Sequence, residues 1–260
     1  MKILPVVVVY NMDFAECAIF KQLVVNNQKQ EFLLYDNSPS FINEKYNKGQ
    51  IIYYHNPKNE GVTTAYNYGA EYAKTHGYKY IVLFDQDTIF PSDYLDILAK
   101  YIKDYPRIKC FAPIIKYSEN IPFSPVKISN FNSKAIPLQS GIYPLSNYSP
   151  VNSGACINVD FFWEVGGYNK FIKLDFADFD FFQKLKDTTP VFCLMNTIAY
   201  QQFSNTERNI NKLLKRFKIY LLDAKNTNRK YRWQVLRHTL ALTYRTKSIL
   251  FIKYYLSTLK

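Results

Sequence analysis

The chain has 260 residues, 48% of them hydrophobic, and a formal net charge of +12 at pH 7. That length and composition suit one hydrophobic core, or one core with an appendage, and no run reaches the roughly 20 apolar residues a membrane-spanning helix needs. The charge belongs to the tail: residues 1–206 carry 19 Lys/Arg against 19 Asp/Glu, whereas residues 207–260 carry 14 against only Glu207 and Asp223. We therefore divide an electrically balanced domain, 1–206, from a basic, mainly helical extension, 207–260. The tail's cations are interleaved with Ile, Leu and Tyr and match no nucleic-acid motif, so nucleic acid is not an expected partner. Four cysteines at 17, 110, 156 and 193 lack metal or disulfide spacing, which points to reduced thiols and a cytoplasmic setting.

In chain order, the apolar run Ile3 to Val9 leads into Tyr10-Asn11-Met12-Asp13. It is too short, and lacks the small residues of a cleavage site, to be a signal peptide, and reads as a first strand. A helical pattern follows near 14–26, then strands near 31–36, ending in Asp36-Asn37-Ser38, and 50–54. Asn59-Glu60-Gly61 opens a helix over 61–75, and a strand over 79–84 runs into Phe84-Asp85-Gln86-Asp87. A helix is expected over 92–104. This alternation argues for an α/β domain with a mostly parallel sheet, and such sheets bind ligands at the carboxyl ends of their strands. Two carboxylates one residue apart repel each other unless a cation lies between them, so Asp85 and Asp87 form a candidate site for a hard divalent ion; a solvated turn uses the same residues. Residues 117–150 are rich in Pro, Ser and Asn and show little periodicity. Further on, Asp175, Asp178 and Asp180 stand at the head of a helix, where acids also complement the helix dipole.

Six segments together resemble the inverting family-2 glycosyltransferases of the GT-A fold, in particular their rhamnosyltransferase-like bacterial branch. They are VVVVYN (6–11), LLYDNS (33–38), NEGVTTAYNYG (59–69), VLFDQD (82–87), NSGACINVDFFWEVGGYNKF (152–171) and DFADFDFFQKL (175–185), in the family's order over roughly residues 3–187. The implied fold is a Rossmann-like α/β/α sandwich. The implied activity is metal-dependent, inverting transfer of a sugar from a UDP- or dTDP-sugar, dTDP-rhamnose among the candidates, to a hydroxyl of a glycan or lipid-linked glycan in bacterial surface polysaccharide synthesis.

The resemblance also distributes roles. Asp36 is expected at the base or ribose, with Val9, Tyr10, Asn11 and Asn37 around it. Asn59 and Gly61, with Ala65 behind them, start a helix whose free N–H groups and dipole suit a phosphate. Asp85 and Gln86 are expected on the donor. Asp87, with Asp85, is expected to hold Mg2+ or Mn2+. Asp178 matches the family's catalytic base, and Ser153, Gly154, Trp163 and Asp175 are expected on the acceptor side, which the 117–150 segment would border. Trp163 also suits core packing. One departure stands out: relatives carry a His in a segment of the type H-Q-x-x-S after the last core strand, and here Tyr200-Gln201-Gln202-Phe203-Ser204 has none, leaving Tyr200 or Gln201 to substitute. His55, His76 and His238 lie in no motif and read as surface or packing residues.

A nucleotidyltransferase would also place D-x-D at a strand end, but it calls for a glycine-rich basic loop after the first strand, and Val9-Tyr10-Asn11-Met12-Asp13 has neither Gly nor Lys/Arg. A catalytically inactive sugar-nucleotide-binding relative is the other alternative. For the basic extension two expectations stand side by side: attachment to an anionic membrane at the inner face of the plasma membrane, and packing on the catalytic domain or on a second copy in a homodimer.

Overall fold

The structure is a computed structural model and describes residues 2–20, 23–24, 30–129, 133–188, 190–202, 209–227 and 231–258. Strands β1 (Ile3–Val9), β2 (Phe32–Asp36), β3 (Ile51–His55) and β4 (Tyr80–Asp85) lie within a residue of expectation. Of the helix expected near 14–26, the described residues form a 3-10 turn at Phe14–Glu16, α1 (Ala18–Phe20) and π-helical backbone at 23–24; residues 21–22 and 25–29 lie outside the described residues. Next come α2 (Val62–Thr75), β5 (Thr88–Ile89), α3 (Tyr94–Asp104) and β6 (Cys110–Ser118). The segment expected as a long loop instead forms β7 (Ile121–Ser124), β8 (Val126–Lys127), β9 (Lys134–Ala135), β10 (Gly141–Pro144) and β11 (Tyr148–Ser149). Strands this short offer no window in which alternation can be read, and their partners are supplied by tertiary pairing. Then follow β12 (Cys156–Asn158), α4 (Val159–Glu164), α5 (Ala177–Leu185), β13 (Val191–Gln201), α6 (Ile210–Asn226), α7 (Arg232–Thr246) and α8 (Leu250–Thr258).

The main sheet runs β10-β13-β6-β12-β4-β1-β2-β3, and β11-β8-β9 form a separate small sheet. Strands β1 to β4 are parallel, β12 runs antiparallel to β4 and β6, and β13 is parallel to β6. Along β1, Leu4, Val6 and Val8 enter one apolar cluster while Val7 and Val9 enter another. A strand alternates its side chains between faces, so a continuous apolar run is buried on both sides of the sheet. Helices α2, α4 and α5 supply the first cluster and α3 the second, which makes the α/β/α sandwich.

Helices α6 to α8 gather a third cluster around Leu214, Phe217, Leu221, Val235, Leu242 and Phe251, with Phe176 and Phe179 of the main body packed against it. The boundary expected near 206, together with Phe203, Ser204 and Glu207, lies outside the described residues. All four cysteines are buried free thiols. Among the described residues no helix is long and apolar enough to cross a membrane.

Candidate active site

Parallel pairing of β1 with β2 and β4 sets Val9 opposite Asp36 and Val8 opposite Asp85, so three strands end at one edge of the sheet. Because β12 runs against β4, the turn before it reaches the same edge: the Gly154 N–H donates to the Leu83 carbonyl at 2.6 Å and the Leu83 N–H to the Ala155 carbonyl at 3.0 Å. Strand β5 doubles back on the end of β13 and sets Thr88 opposite Gln201.

At that edge Asp85 Oδ1 accepts a hydrogen bond from the Tyr66 hydroxyl at 2.7 Å, and the Ser153 hydroxyl lies beside the same carboxylate. Burial, and then the charge of Asp87, push the Asp85 pKa up to about 6. Burial likewise raises Asp87, against the Gln201 Nε2–H that donates to its Oδ1 at 2.6 Å. Gln201 is fixed in turn: Thr88 donates to its Oε1 at 2.5 Å and accepts from the Ser153 hydroxyl at 2.8 Å. Asp178, in the first turn of α5, is pushed up to about 7, mainly by burial and further by the charges of Asp85 and Asp175, while the Phe179 N–H at 2.8 Å acts against the shift. Tyr168 lies beneath, its ring stacked on Phe181 with centroids 4.1 Å apart and its hydroxyl donating to Asn152 Oδ1 at 2.6 Å. Among the described residues no group of three or more His, Cys, Asp or Glu side chains is placed to hold a metal. Asp85 and Asp87 are nonetheless two mutually repelling hard oxygen donors, the set that Mg2+ or Mn2+ takes when substrate phosphates complete its shell.

Several expected donor residues serve the fold. Asp36 is fully buried; its Oδ1 accepts from the Ser38 N–H at 2.9 Å, and its Oδ2 from Asn43 Nδ2 at 2.9 Å and the Tyr53 hydroxyl at 3.2 Å. Val9 and Ala65 are fully buried in opposite layers of the core. Gln86 accepts the Tyr10 N–H at 2.7 Å and so ties β1 to the turn after β4. Tyr10 and Asn11 are exposed at the rim, with Asn11 in the left-handed region at φ 51° and its N–H on the Ser38 hydroxyl at 2.9 Å. Asn37 is buried, and its Oδ1 has no hydrogen-bond partner among the described residues.

The helix start at Asn59–Gly61 is tied to residues 172–173 of the same chain. The Val62 N–H donates to the Lys173 carbonyl at 2.9 Å and the Thr63 hydroxyl to the Ile172 carbonyl at 2.5 Å. Gly61 sits at φ 101°, and a Cβ there would overlap the Lys173 carbonyl oxygen, so the glycine makes room for the chain's own backbone where a phosphate was expected. Gly154 likewise makes room for the chain itself: a Cβ would meet Phe90 at 2.6 Å and Pro113 at 2.7 Å. Trp163 donates from its indole N–H to the Ala70 carbonyl at 3.4 Å and packs edge-on against Phe162, joining α4 to α2. Ser153 is buried within the Asp85 network. The three histidines contact Ser38, Tyr72 and the Phe217–Tyr220 pair.

Asp175 is held by Arg216 of α6 in a two-point ion pair, with Nη2 to Oδ1 at 2.7 Å. Asp223, also of α6 and fully buried, accepts the Lys173, Leu174 and Asp175 N–H groups at 2.8, 2.9 and 2.9 Å. Sequence reasoning missed Tyr66, Thr88, Arg216 and Asp223. A signal for Asp223 existed, since it is one of only two acids among fourteen cations in the tail.

The family model "Glycosyl transferase family 2" matches residues 19–166, more than half of the chain, and the chain belongs to that family. It is similar to the dTDP-rhamnosyl transferase RfbF of Shigella flexneri, at 26% identity over 124 residues, which is 46% of this chain and 41% of that protein; the match thus spans less than half of that relative. Among solved structures it resembles GalNAc-T7 with UDP, GalNAc and Mn2+, with a TM-score of 0.61 and 16% identity over 86% of this chain and 48% of that one. It also resembles Staphylococcus aureus TarS 1-349 in complex with UDP, with a TM-score of 0.56 and 15% identity over 94% and 72% of the two chains. Likeness at these identities is a likeness of fold, and the fold is GT-A.

Proposed function

We propose that the chain transfers a sugar, with inversion, from a nucleoside-diphosphate sugar to a hydroxyl of a glycan or lipid-linked glycan. The observation that carries this reading is the convergence of Asp85, Asp87 and Asp178, three carboxylates raised by burial, on one sheet edge of a family-2 chain. Asp87, with Asp85, would hold Mg2+ or Mn2+; the ion supplies Lewis-acid stabilisation of the departing diphosphate. Asp178 takes the proton of the acceptor hydroxyl as its oxygen forms the new bond to the anomeric carbon. The bond from that carbon to the phosphate oxygen breaks, and its electron pair leaves with the nucleoside diphosphate. A pKa near 7 suits a base at neutral pH. Gln201 takes the place at Asp87 that the family's His suggests. The similarity to a dTDP-rhamnosyl transferase favours dTDP-rhamnose as donor, with UDP-sugars next.

The division at residue 206 is kept with one amendment: α6 works as part of the catalytic unit. On the outer side of the extension, Trp233, Leu240 and Tyr244 of α7 are exposed, and residues 224–260 contain nine Lys/Arg and no acid. This supports attachment to an anionic membrane at the inner face of the plasma membrane, next to a lipid-linked acceptor. The deciding experiment is a thermal-shift screen of dTDP-, UDP- and GDP-sugars with and without Mg2+ or Mn2+, since a ligand that binds only the native state raises its apparent stability. We expect divalent-dependent stabilisation by dTDP- or UDP-sugars. No stabilisation by any of them would defeat the transferase reading.

A further inference from the structure

Segment 172–176 connects the two halves of the candidate site. Its Ile172 and Lys173 carbonyls cap the start of α2 at Thr63 and Val62, and directly after it α5 begins at Ala177, with Asp178 in its first turn. The segment has no regular structure of its own, and Phe176 enters the left-handed region at φ 63°, which is strained for an aromatic residue. Three consecutive N–H groups, of Lys173, Leu174 and Asp175, point away from the body of the domain and are all taken by the carboxylate of Asp223. Two turns earlier on α6, Arg216 holds Asp175 at two points. Phe176 is stacked on Tyr231 at 4.8 Å and lies against Tyr220 at 5.0 Å, and Asn226 donates to the Phe171 carbonyl at 2.7 Å.

We propose that Asp223, seconded by Arg216, is a positioning residue: by gathering the three amides of 173–175 it fixes the left-handed turn at Phe176 and thereby the direction in which Asp178 leaves the first turn of α5. The inference rests on the reading of Asp178 as base. An anionic acceptor for three adjacent amides is strong, because each hydrogen bond is charge-assisted, and fully burying that acceptor in α6 makes the position of the loop depend on the docking of the helix. The function of the extension at this point is local and geometric. It holds a reacting carboxylate to within the fraction of an ångström that proton transfer requires.

The test compares Asp223→Asn, Arg216→Lys and Asp178→Asn in the full chain. The first replaces an acceptor oxygen by an NH2 facing an N–H. Asp223→Asn is expected to lower kcat by about 10- to 100-fold, the cost of a misplacement of about 1 Å or less, with donor KM and nucleotide affinity within about twofold of wild type. Amide hydrogen exchange should quicken by at least about tenfold at 173–175 while β1 to β4 keep their protection. Arg216→Lys keeps the charge but loses the fork, and should show the same split at about 3- to 10-fold in kcat. If Asp178→Asn retains wild-type turnover, the base reading fails. If Asp178→Asn is inactive while Asp223→Asn leaves kcat and exchange unchanged, the positioning inference alone fails. Parallel loss of kcat, donor affinity and global protection in Asp223→Asn would reduce Asp223 to a fold-holding role and overturn the inference. Should Asp223→Asn not fold, an Arg216→Lys protein with wild-type kcat has the same force.

Discussion

The molecule has two seams rich in aspartate, and their hydrogen bonding differs. At the seam between the loop ahead of α5 and helix α6, Asp223 receives three backbone N–H groups and Asp175 a two-point guanidinium; on the donor side Asp36 receives three donors. At the seam formed by the ends of β4 and β13 and the start of α5, Asp85, Asp87 and Asp178 are each bound through one oxygen by one side-chain or backbone donor. A carboxylate accepts about four hydrogen bonds. The first group is close to saturated by the protein, whereas the second keeps acceptor capacity and is raised in pKa by burial. Acids of identical chemistry are thus separated by counting donors: the well-supplied ones hold loops, and the undersupplied ones keep acceptor capacity that a ligand would use.

The largest effect that could break this comparison is catalytic. Asp178→Asn is nearly isosteric and is expected to lower turnover about 100- to 10,000-fold at unchanged nucleotide affinity, the usual contribution of a positioned base. Equal losses of affinity and turnover would move Asp178 into the structural group, and a product that retains the donor's anomeric configuration would refute the single displacement. Asp87→Asn should next remove most divalent-dependent nucleotide binding while the protein stays folded. Unchanged activity at saturating metal would cancel its assignment as ligand.

Stability should sort the two groups in opposite directions. Asp36→Ala strips acceptors from three buried donors and is expected to cost about 2–4 kcal/mol in denaturant unfolding. Asp178→Asn removes a carboxylate whose ionised form is disfavoured by burial and should stabilise the ligand-free protein by about 1–2 kcal/mol, a few degrees in Tm. A destabilised Asp178→Asn would erase the distinction.

The same sign governs pH. Asp178 and Asp85, at about 7 and 6 when folded, hold protons more tightly than in the unfolded chain, where Asp titrates near 4. Their contribution to stability is therefore greatest below about pH 4 and is lost as pH rises through 6 to 7. Turnover needs Asp178 ionised and should rise over that upper range. Activity and ligand-free stability are expected to run oppositely between about pH 5 and 7, and an activity profile flat across pH 6–8 would contradict the pairing. The smallest effect concerns the outer face of the extension. Full-length protein should co-sediment with anionic but not neutral vesicles at low salt, and release as ionic strength shortens the screening length to about 8 Å. Equal binding to neutral vesicles would instead favour packing of that face on another protein surface.

What the sequence determined by itself is what repeats along the chain. The uninterrupted apolar runs at Ile3–Val9 and Tyr80–Phe84 required strands buried on both faces, the helical spacing of 62–75 and 94–104 required helices to cover them, and parallel order then brought Asp36 and Asp85 to one edge. The resemblance that led to Asp85, Asp87 and Asp178 was legible for the same reason, since each acid stands at a fixed place on a regular element. Only the tertiary structure decided what covers what. Gly61 and Asp36 stand where a ligand contact was expected, yet Lys173, 112 positions after Gly61 in sequence, fills the space above one, and Asn43 and Tyr53 occupy the oxygens of the other. The hydrogen bond from Gln201 to Asp87 depended on β5 folding back onto β13, and the clamp of Asp223 on 173–175 on the docking of α6. Local spacing encodes periodicity and strand ends, because those depend on neighbours three or four residues away. Donor and acceptor pairing across 50 to 114 residues depends on packing, which no single segment records.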